Sequence, residues 1–176
     1  MRERRRKETH AAGDPALEPI QGDEHALRSV FSSFATGVTV ATAVDGFGHP
    51  VGMTASAVSA VSLDPPLVLV CVNRQARLHA VLHEGAAFTL NVLSSSQRDI
   101  ADRFASSIDN PFRDVAHRIL PNAVVLIEEA GAHIVCDPWG AFEAGDHTVF
   151  LGRVREGAVF DRAPLIHFRS RYTTTA

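Results

Sequence analysis

The stretch from Thr36 to Asn73 constrains the fold most, because two turn signals divide it into three short runs of β-forming residues. DGFG at 45–48 predicts a hairpin turn. Asp64-Pro65-Pro66 predicts a rigid turn, since proline fixes φ and donates no ladder hydrogen bond. Small side chains in the middle run would leave backbone groups and hydroxyls accessible to a flat polar ligand. These small or hydroxylic residues are Thr54, Ala55, Ser56 and Ala57.

Length and charge predict one domain behind a charged tail. The chain has 176 residues, enough to bury a substantial core. Five of its 17 basic and two of its 20 acidic residues fall within 1–8, which leaves a net charge of −6 for the remainder. We expect a disordered tail at 1–22 and a single domain at 23–176. A domain this acidic lacks the positive face that nucleic-acid binding needs.

Hydropathy and cysteine usage predict a cytoplasmic protein. No stretch approaches the ~20 apolar residues of a membrane span, and no apolar segment of a secretory signal follows the basic N-terminus. Cys71 and Cys136 lie in apolar strand-like runs without CxxC spacing. This pattern predicts reduced cysteines in the core.

Apolar periodicity predicts three helices, at 24–35 with Asp23 as N-cap, at 75–83, and at 97–105 with an N-cap from Ser94–Ser96. Glu84-Gly85 ends the second helix. The residues expected to face the core are Ala26, Leu27, Val30, Phe31 and Phe34 in the first helix, Leu78, Val81 and Leu82 in the second, and Ile100, Ala101 and Phe104 in the third.

The other apolar runs are short and predict strands, at 38–44, 51–59, 67–72, 87–93, 123–127, 132–142, 148–156 and 165–168. The run at 67–72 is continuously apolar, so we expect it to be buried on both faces. Many short strands with a few helices favour a mainly β fold, a closed barrel with helical caps.

Sequence motifs exclude several kinds of site. The chain lacks GxGxxG, the phosphate-binding loop and the GxSxG nucleophile elbow. His79 and His83 share helical spacing, but no HExxH pattern or third ligand accompanies them, so no metal site is expected. Gly145-Asp146-His147 lies between two predicted strands. From these residues alone, a plain hairpin turn and a histidine presented to a ligand both remain open.

Taken in order, five segments resemble the flavin reductase family, whose members have an FMN-binding split barrel. The segments are FATGVTVAT (34–42), GMTASAVSAVSLDPPLVLVCVN (52–73), AAFTLNVLSSSQRDIADRFA (86–105), GDHTVFLGRV (145–154) and PLIHFRSRY (164–172). The resemblance spans about residues 25–172. It implies a split β-barrel of Greek-key type with capping helices.

The resemblance also implies an activity. Such proteins pass a hydride from NADH or NADPH to FMN or FAD and supply the reduced flavin to a partner flavin-dependent monooxygenase. Family members are typically homodimers. The choices between FMN and FAD and between NADH and NADPH stay open. Alternatives are a non-enzymatic flavin-binding or flavin-sensing module on the same barrel, and an oxidase of the pyridoxamine-phosphate type.

Site residues follow from the same resemblance. His147 is placed near the nicotinamide, with Arg153 and Tyr172 as further candidates. Where family members often have Ser or Thr, this chain has Arg74 and Arg77, which offer guanidinium groups to a phosphate. The implied flavin-binding residues are Thr54, Ala55, Ser56, Ala57, Cys71, Val72, Asn73, Arg74, Ala76, Arg77, Asn91, Val92, Leu93, Ser94, Phe104 and Tyr172.

Overall fold

A computed structural model describes residue 20 and residues 22–175; the predicted tail lies almost wholly outside them. The helices are α1 (Glu24–Phe31), α2 (Arg77–His83) and α3 (Arg98–Ala105). The strands are β1 (Thr36–Gly37), β2 (Thr39–Val44), β3 (Pro50–Ala55), β4 (Val58–Leu63), β5 (Pro66–Asn73), β6 (Phe88–Val92), β7 (His117–Leu120), β8 (Val124–Ile127), β9 (Ala132–Ala144), β10 (His147–Val159), β11 (Ile166–Phe168) and β12 (Arg171–Thr173).

Seven strands form one antiparallel sheet in the order β3-β2-β6-β9-β10-β5-β4. The sheet curls around one apolar core, to which β2, β3, β5, β6, β9 and β10 all contribute. The helix α2 caps this core with Leu78, Val81 and Leu82, as its periodicity predicts. The predicted mainly β split barrel with helical caps is confirmed.

A second core lies on the other face of β2. There Val38 and Val40 pack with Phe104 of α3 and with Val125 and Ile127 of β8. The strand β2 is consequently buried on both faces. The same expectation for 67–72 is wrong for the single chain, because burial along β5 alternates and none of the described residues fully covers its outer face.

One predicted strand is two strands. The run 51–59 is interrupted at Ser56 and Ala57, after which the chain crosses the barrel. The strand β3 pairs with β2, whereas β4 pairs with β5 at the opposite edge of the sheet. Because β propensity is high on both sides of Ser56 and Ala57, the local sequence pattern does not indicate this crossing.

Helix ends differ from the predictions in three places, one of which is the start of α2 at Arg77 rather than at 75. The Asp23 cap is confirmed, since its Oδ1 accepts from the Ala26 N–H at 2.9 Å, but α1 ends at Phe31 and buries none of its residues. The predicted serine cap of α3 is wrong, because Gln97 takes the N-cap position. Its side chain instead bridges Ser94 N and the Glu128 carbonyl. Among the described helices, none is long and apolar enough to span a membrane.

Candidate functional site

A groove of about 1190 Å³ lies between β3, the start of α2 and the loop that follows α3. One wall is Pro50–Thr54, a second is Gln75–Arg77, and the third is the segment from Phe104 to Arg113. Asp45, His49, Ala80, Val81 and His117 complete the lining. Ligand sites are usually large concave pockets with few polar groups, so this groove is the candidate site.

The β3 wall is packed tightly against α3. Thr54 Oγ1 donates a hydrogen bond to the Ala101 carbonyl at 2.6 Å. A Cβ at Gly52 would lie 3.0 Å from Phe104 Cε1 and 3.1 Å from the Ala41 carbonyl oxygen, so only glycine leaves room for the ring. Phe104 is buried, as the sequence predicted, and gives this wall an apolar surface.

The other small residues of the run from Thr54 to Ala57 lie apart from that wall. Ala55 is buried in the barrel core, while Ser56 and Ala57 are exposed where the chain crosses the barrel. The Ala57 carbonyl accepts from the Cys71 N–H at 3.0 Å, which ties the crossing to β5. Contact of Ser56 and Ala57 with a flavin ring stays a prediction.

The two arginines proposed as phosphate ligands have different environments. The Arg77 guanidinium lines the groove beside Ala76 and donates to the Asp109 carbonyl at 2.7 Å. The Arg74 guanidinium donates to the Gly145 carbonyl at 2.6 Å and lies 3.9 Å from a Glu143 oxygen. Arg74 therefore holds the β9–β10 turn, and Arg77 is the better candidate for a phosphate.

The Gly145-Asp146-His147 segment is a tight turn that joins the two longest strands. Asp146 Oδ1 accepts from His147 Nδ1 at 2.8 Å, and this bond lowers the pKa of the Asp146 carboxyl. His147 pairs with Asn73 and lies, with Cys71, on the outer face of the sheet. That face adjoins the groove through the Asn73–Arg77 loop, where Asn73 Oδ1 accepts from Gln75 N at 2.9 Å.

The segment from Asn91 to Ser94 is largely buried, and it does not line the groove. Asn91 is fully buried, and its amide nitrogen donates to Thr42 Oγ1 and to the carbonyls of Val40 and Val125. Its Oδ1 accepts from the Ile127 N–H at 2.9 Å and faces His133 Nδ1 at 3.0 Å. With both ends of its side chain bonded inside the fold, Asn91 has a structural role, and its contact with a flavin stays a prediction.

The remaining predicted residues do not line the groove. Val72 and Leu93 are fully buried core residues, whereas Cys71 is half-buried on the outer face of β5. The Tyr172 ring lies 5.7 Å from the Arg98 guanidinium, and burial, followed by the nearby Asp102 carboxylate, raises the pKa of Tyr172. Arg153 is exposed over the Trp139 ring.

The third wall of the groove was missed by the sequence analysis. No site residue was predicted within 106–113, yet this segment contributes Ile108, Asp109, Phe112 and Arg113 to the lining. Phe112 is buried and meets Phe104 edge-on, with ring centres 4.8 Å apart, which anchors the loop.

The histidine pair on α2 has no metal-binding partners. The rings of His79 and His83 stack with centres 5.7 Å apart, and His79 Nε2 lies 2.9 Å from Thr148 Oγ1. Within the described residues, no group of three potential metal ligands occurs.

Comparison with known proteins gives consistent matches. A family model described as flavin reductase like domain matches residues 31–176. The reductase subunit Stc3 of the stachydrine N-demethylase of Rhizobium meliloti is 41% identical over 132 residues, which cover 75% of this chain and 57% of that protein. The flavin reductase (NADH) of Kitasatospora aureofaciens is 37% identical over 162 residues, covering 89% and 84% of the two chains.

Solved structures show the same architecture. The NADH:FAD oxidoreductase of Streptomyces globisporus, determined with NAD and FAD fragments, superposes with a TM-score of 0.85 at 36% identity. The match covers 92% of this chain and 98% of that one. The chain spans only about half the length of its relatives from Rhizobium meliloti. The match covers 57% of Stc3 and 42% of a second protein from that organism.

Proposed function

The chain belongs to the family of flavin reductase like domain proteins, and we propose that it is an NAD(P)H:flavin oxidoreductase. It transfers a hydride from NADH or NADPH to dissociable FMN or FAD and supplies the reduced flavin to a partner monooxygenase. The groove between β3, α2 and the loop after α3 carries the proposal. The related NADH-dependent flavin reductase and the oxidoreductase solved with NAD and FAD fragments support it.

The residues of the groove fit a flavin nucleotide. The wall at Gly52 and Phe104 is apolar, as the ring of a flavin requires, and Arg77 offers a guanidinium to a phosphate. When bound, the flavin supplies the hydride-accepting chemistry. The chain's own residues bind and orient the two nucleotides, so no nucleophile–base pair is needed. Arg74 is engaged at the β9–β10 turn, so the arginine pair gives little support to the alternative of a pyridoxamine-phosphate type oxidase.

The test is NADH consumption by the purified protein. We expect steady-state oxidation of NADH or NADPH, followed at 340 nm, only when FMN, FAD or riboflavin is added. Running each flavin against each nicotinamide nucleotide also settles the two open preferences. Flavin binding without any oxidation of NADH or NADPH would contradict the proposal and favour the non-enzymatic flavin-binding module.

We further propose a homodimer that buries the outer face of β5 and β10. This face is apolar and half-exposed, and its cross-strand pairs are Leu69 with Leu151 and Cys71 with Val149. His147 lies at its end, so a second copy here would border the nicotinamide site. Contiguous exposed apolar patches of this kind usually mark interaction sites.

The oligomeric state tests this face directly. We expect sedimentation of the wild-type protein as a dimer and of the Leu151→Arg variant as a monomer, because a guanidinium cannot be buried unpaired in an apolar interface. Ile119→Arg, at an exposed aliphatic residue of β7, is the control and should remain dimeric. A wild-type monomer, or a dimeric Leu151→Arg, would contradict the assignment.

We also propose a cytoplasmic location. Both cysteines are free, which suits a reducing compartment, and nicotinamide nucleotides are supplied there.

A further inference from the structure

A single ion pair joins two walls of the groove. Arg77 begins α2, and Asp109 lies in the loop between α3 and β7. One guanidinium nitrogen of Arg77 donates to the Asp109 carbonyl oxygen at 2.7 Å, and another donates to Asp109 Oδ1 at 3.1 Å. Both residues line the groove. The cation best placed for a phosphate is therefore occupied by a carboxylate of the protein itself.

This pair is not what holds the loop in place. The side chains of Arg77 and Asp109 are 69% and 99% exposed, and ion pairs so open to water contribute little to stability. The loop is anchored instead by buried Phe112 and by a hydrogen bond from the Arg103 guanidinium to the Arg113 carbonyl at 2.8 Å. Asp109 therefore contributes negative charge to the groove but is not needed to hold the loop in position.

We propose that Asp109 weakens the binding of phosphorylated flavins by competing with their phosphate for Arg77. This inference rests on the proposed function, in which a flavin nucleotide occupies the groove. A phosphate that binds Arg77 must share the guanidinium with the Asp109 carboxylate, or displace it, and then lie beside its negative charge. Weak retention suits a protein whose flavin has to leave after every reduction.

Asp109 should therefore affect the binding of the flavin phosphate and not the binding of the ring. Riboflavin has the same ring without the phosphate, so its affinity should be independent of Asp109. If the pair merely held the loop closed, its loss would weaken FMN and riboflavin alike. Comparing the two flavins therefore separates competition for Arg77 from a structural role of the loop.

The experiment measures dissociation constants for FMN and riboflavin by quenching of flavin fluorescence. For Asp109→Asn we expect FMN to bind about three- to tenfold more tightly, while riboflavin changes by less than about twofold. The gain should shrink at high salt, since the pair is exposed. In an Arg77→Gln background, Asp109→Asn should give no gain, because the competing cation is gone.

Asp114→Asn is the matched control, because Asp114 lies in the same loop but outside the groove lining. It should leave both affinities unchanged. Unchanged or weaker FMN binding in Asp109→Asn would overturn the inference while leaving flavin binding, and hence the proposed function, intact. Absence of binding by every flavin to the wild-type protein would overturn the flavin site itself.

Discussion

Replacing Asn91 by leucine should lower the free energy of unfolding by about 3 kcal/mol, because several buried polar groups lose their partner at once. The side chain of Asn91 is fully buried where β6 crosses β8. Leucine has a similar size but cannot accept from the Ile127 N–H or donate to the Val40 carbonyl. Urea denaturation of the two proteins, extrapolated to water, measures the difference.

Thr89 supplies a matched control two residues earlier on the same strand. Its side chain is also fully buried, but within the described part of the chain its hydroxyl has no hydrogen-bond partner. Thr89→Val should therefore leave the free energy of unfolding unchanged or raise it. A loss below about 1 kcal/mol in Asn91→Leu would mean that water or a ligand replaces the amide's bonds.

Asn91 also shows how a polar residue in a strand can find its hydrogen-bond partners inside the fold. A polar residue in a strand needs a partner, and the sequence suggested a bound ligand for both Asn91 and Thr54. The structure supplies internal partners for both side chains: β8 and β2 for Asn91, and the Ala101 carbonyl for Thr54, which also lines the groove. These partners come from elements that are distant in the chain, so no local sequence pattern indicates them.

Features with a local cause were predictable. The Asp23 cap, the hairpin at 45–48 and the inward residues of α2 follow from a side chain bonding its own turn or from helical period. No periodic pattern in the sequence indicates the crossing at Ser56 or the groove wall at 106–113. Both depend on where the sheet edges and Phe112 come to lie in the folded barrel.

Replacing His147 by alanine should lower kcat/KM for NADH by about 10- to 100-fold, the loss expected when one well-placed hydrogen bond to a bound ligand is removed. The Asp146 carboxylate holds a proton on His147 Nδ1, with Oδ1 2.8 Å away. In the neutral ring Nε2 is then an acceptor. It can receive a hydrogen bond from the nicotinamide carboxamide or a ribose hydroxyl.

The His147 substitution should lower the use of NADH without weakening the binding of flavin. His147 lies on the outer face of the sheet, away from the groove lining, so the flavin dissociation constant should stay within about twofold of the wild-type value. His83→Ala, at an exposed histidine of α2, is the control and should keep wild-type kinetics. Steady-state rates at saturating flavin measure the first quantity and fluorescence quenching the second. Unchanged kcat/KM would remove His147 from the site, whereas equal losses of NADH use and flavin affinity would make it a support of the turn.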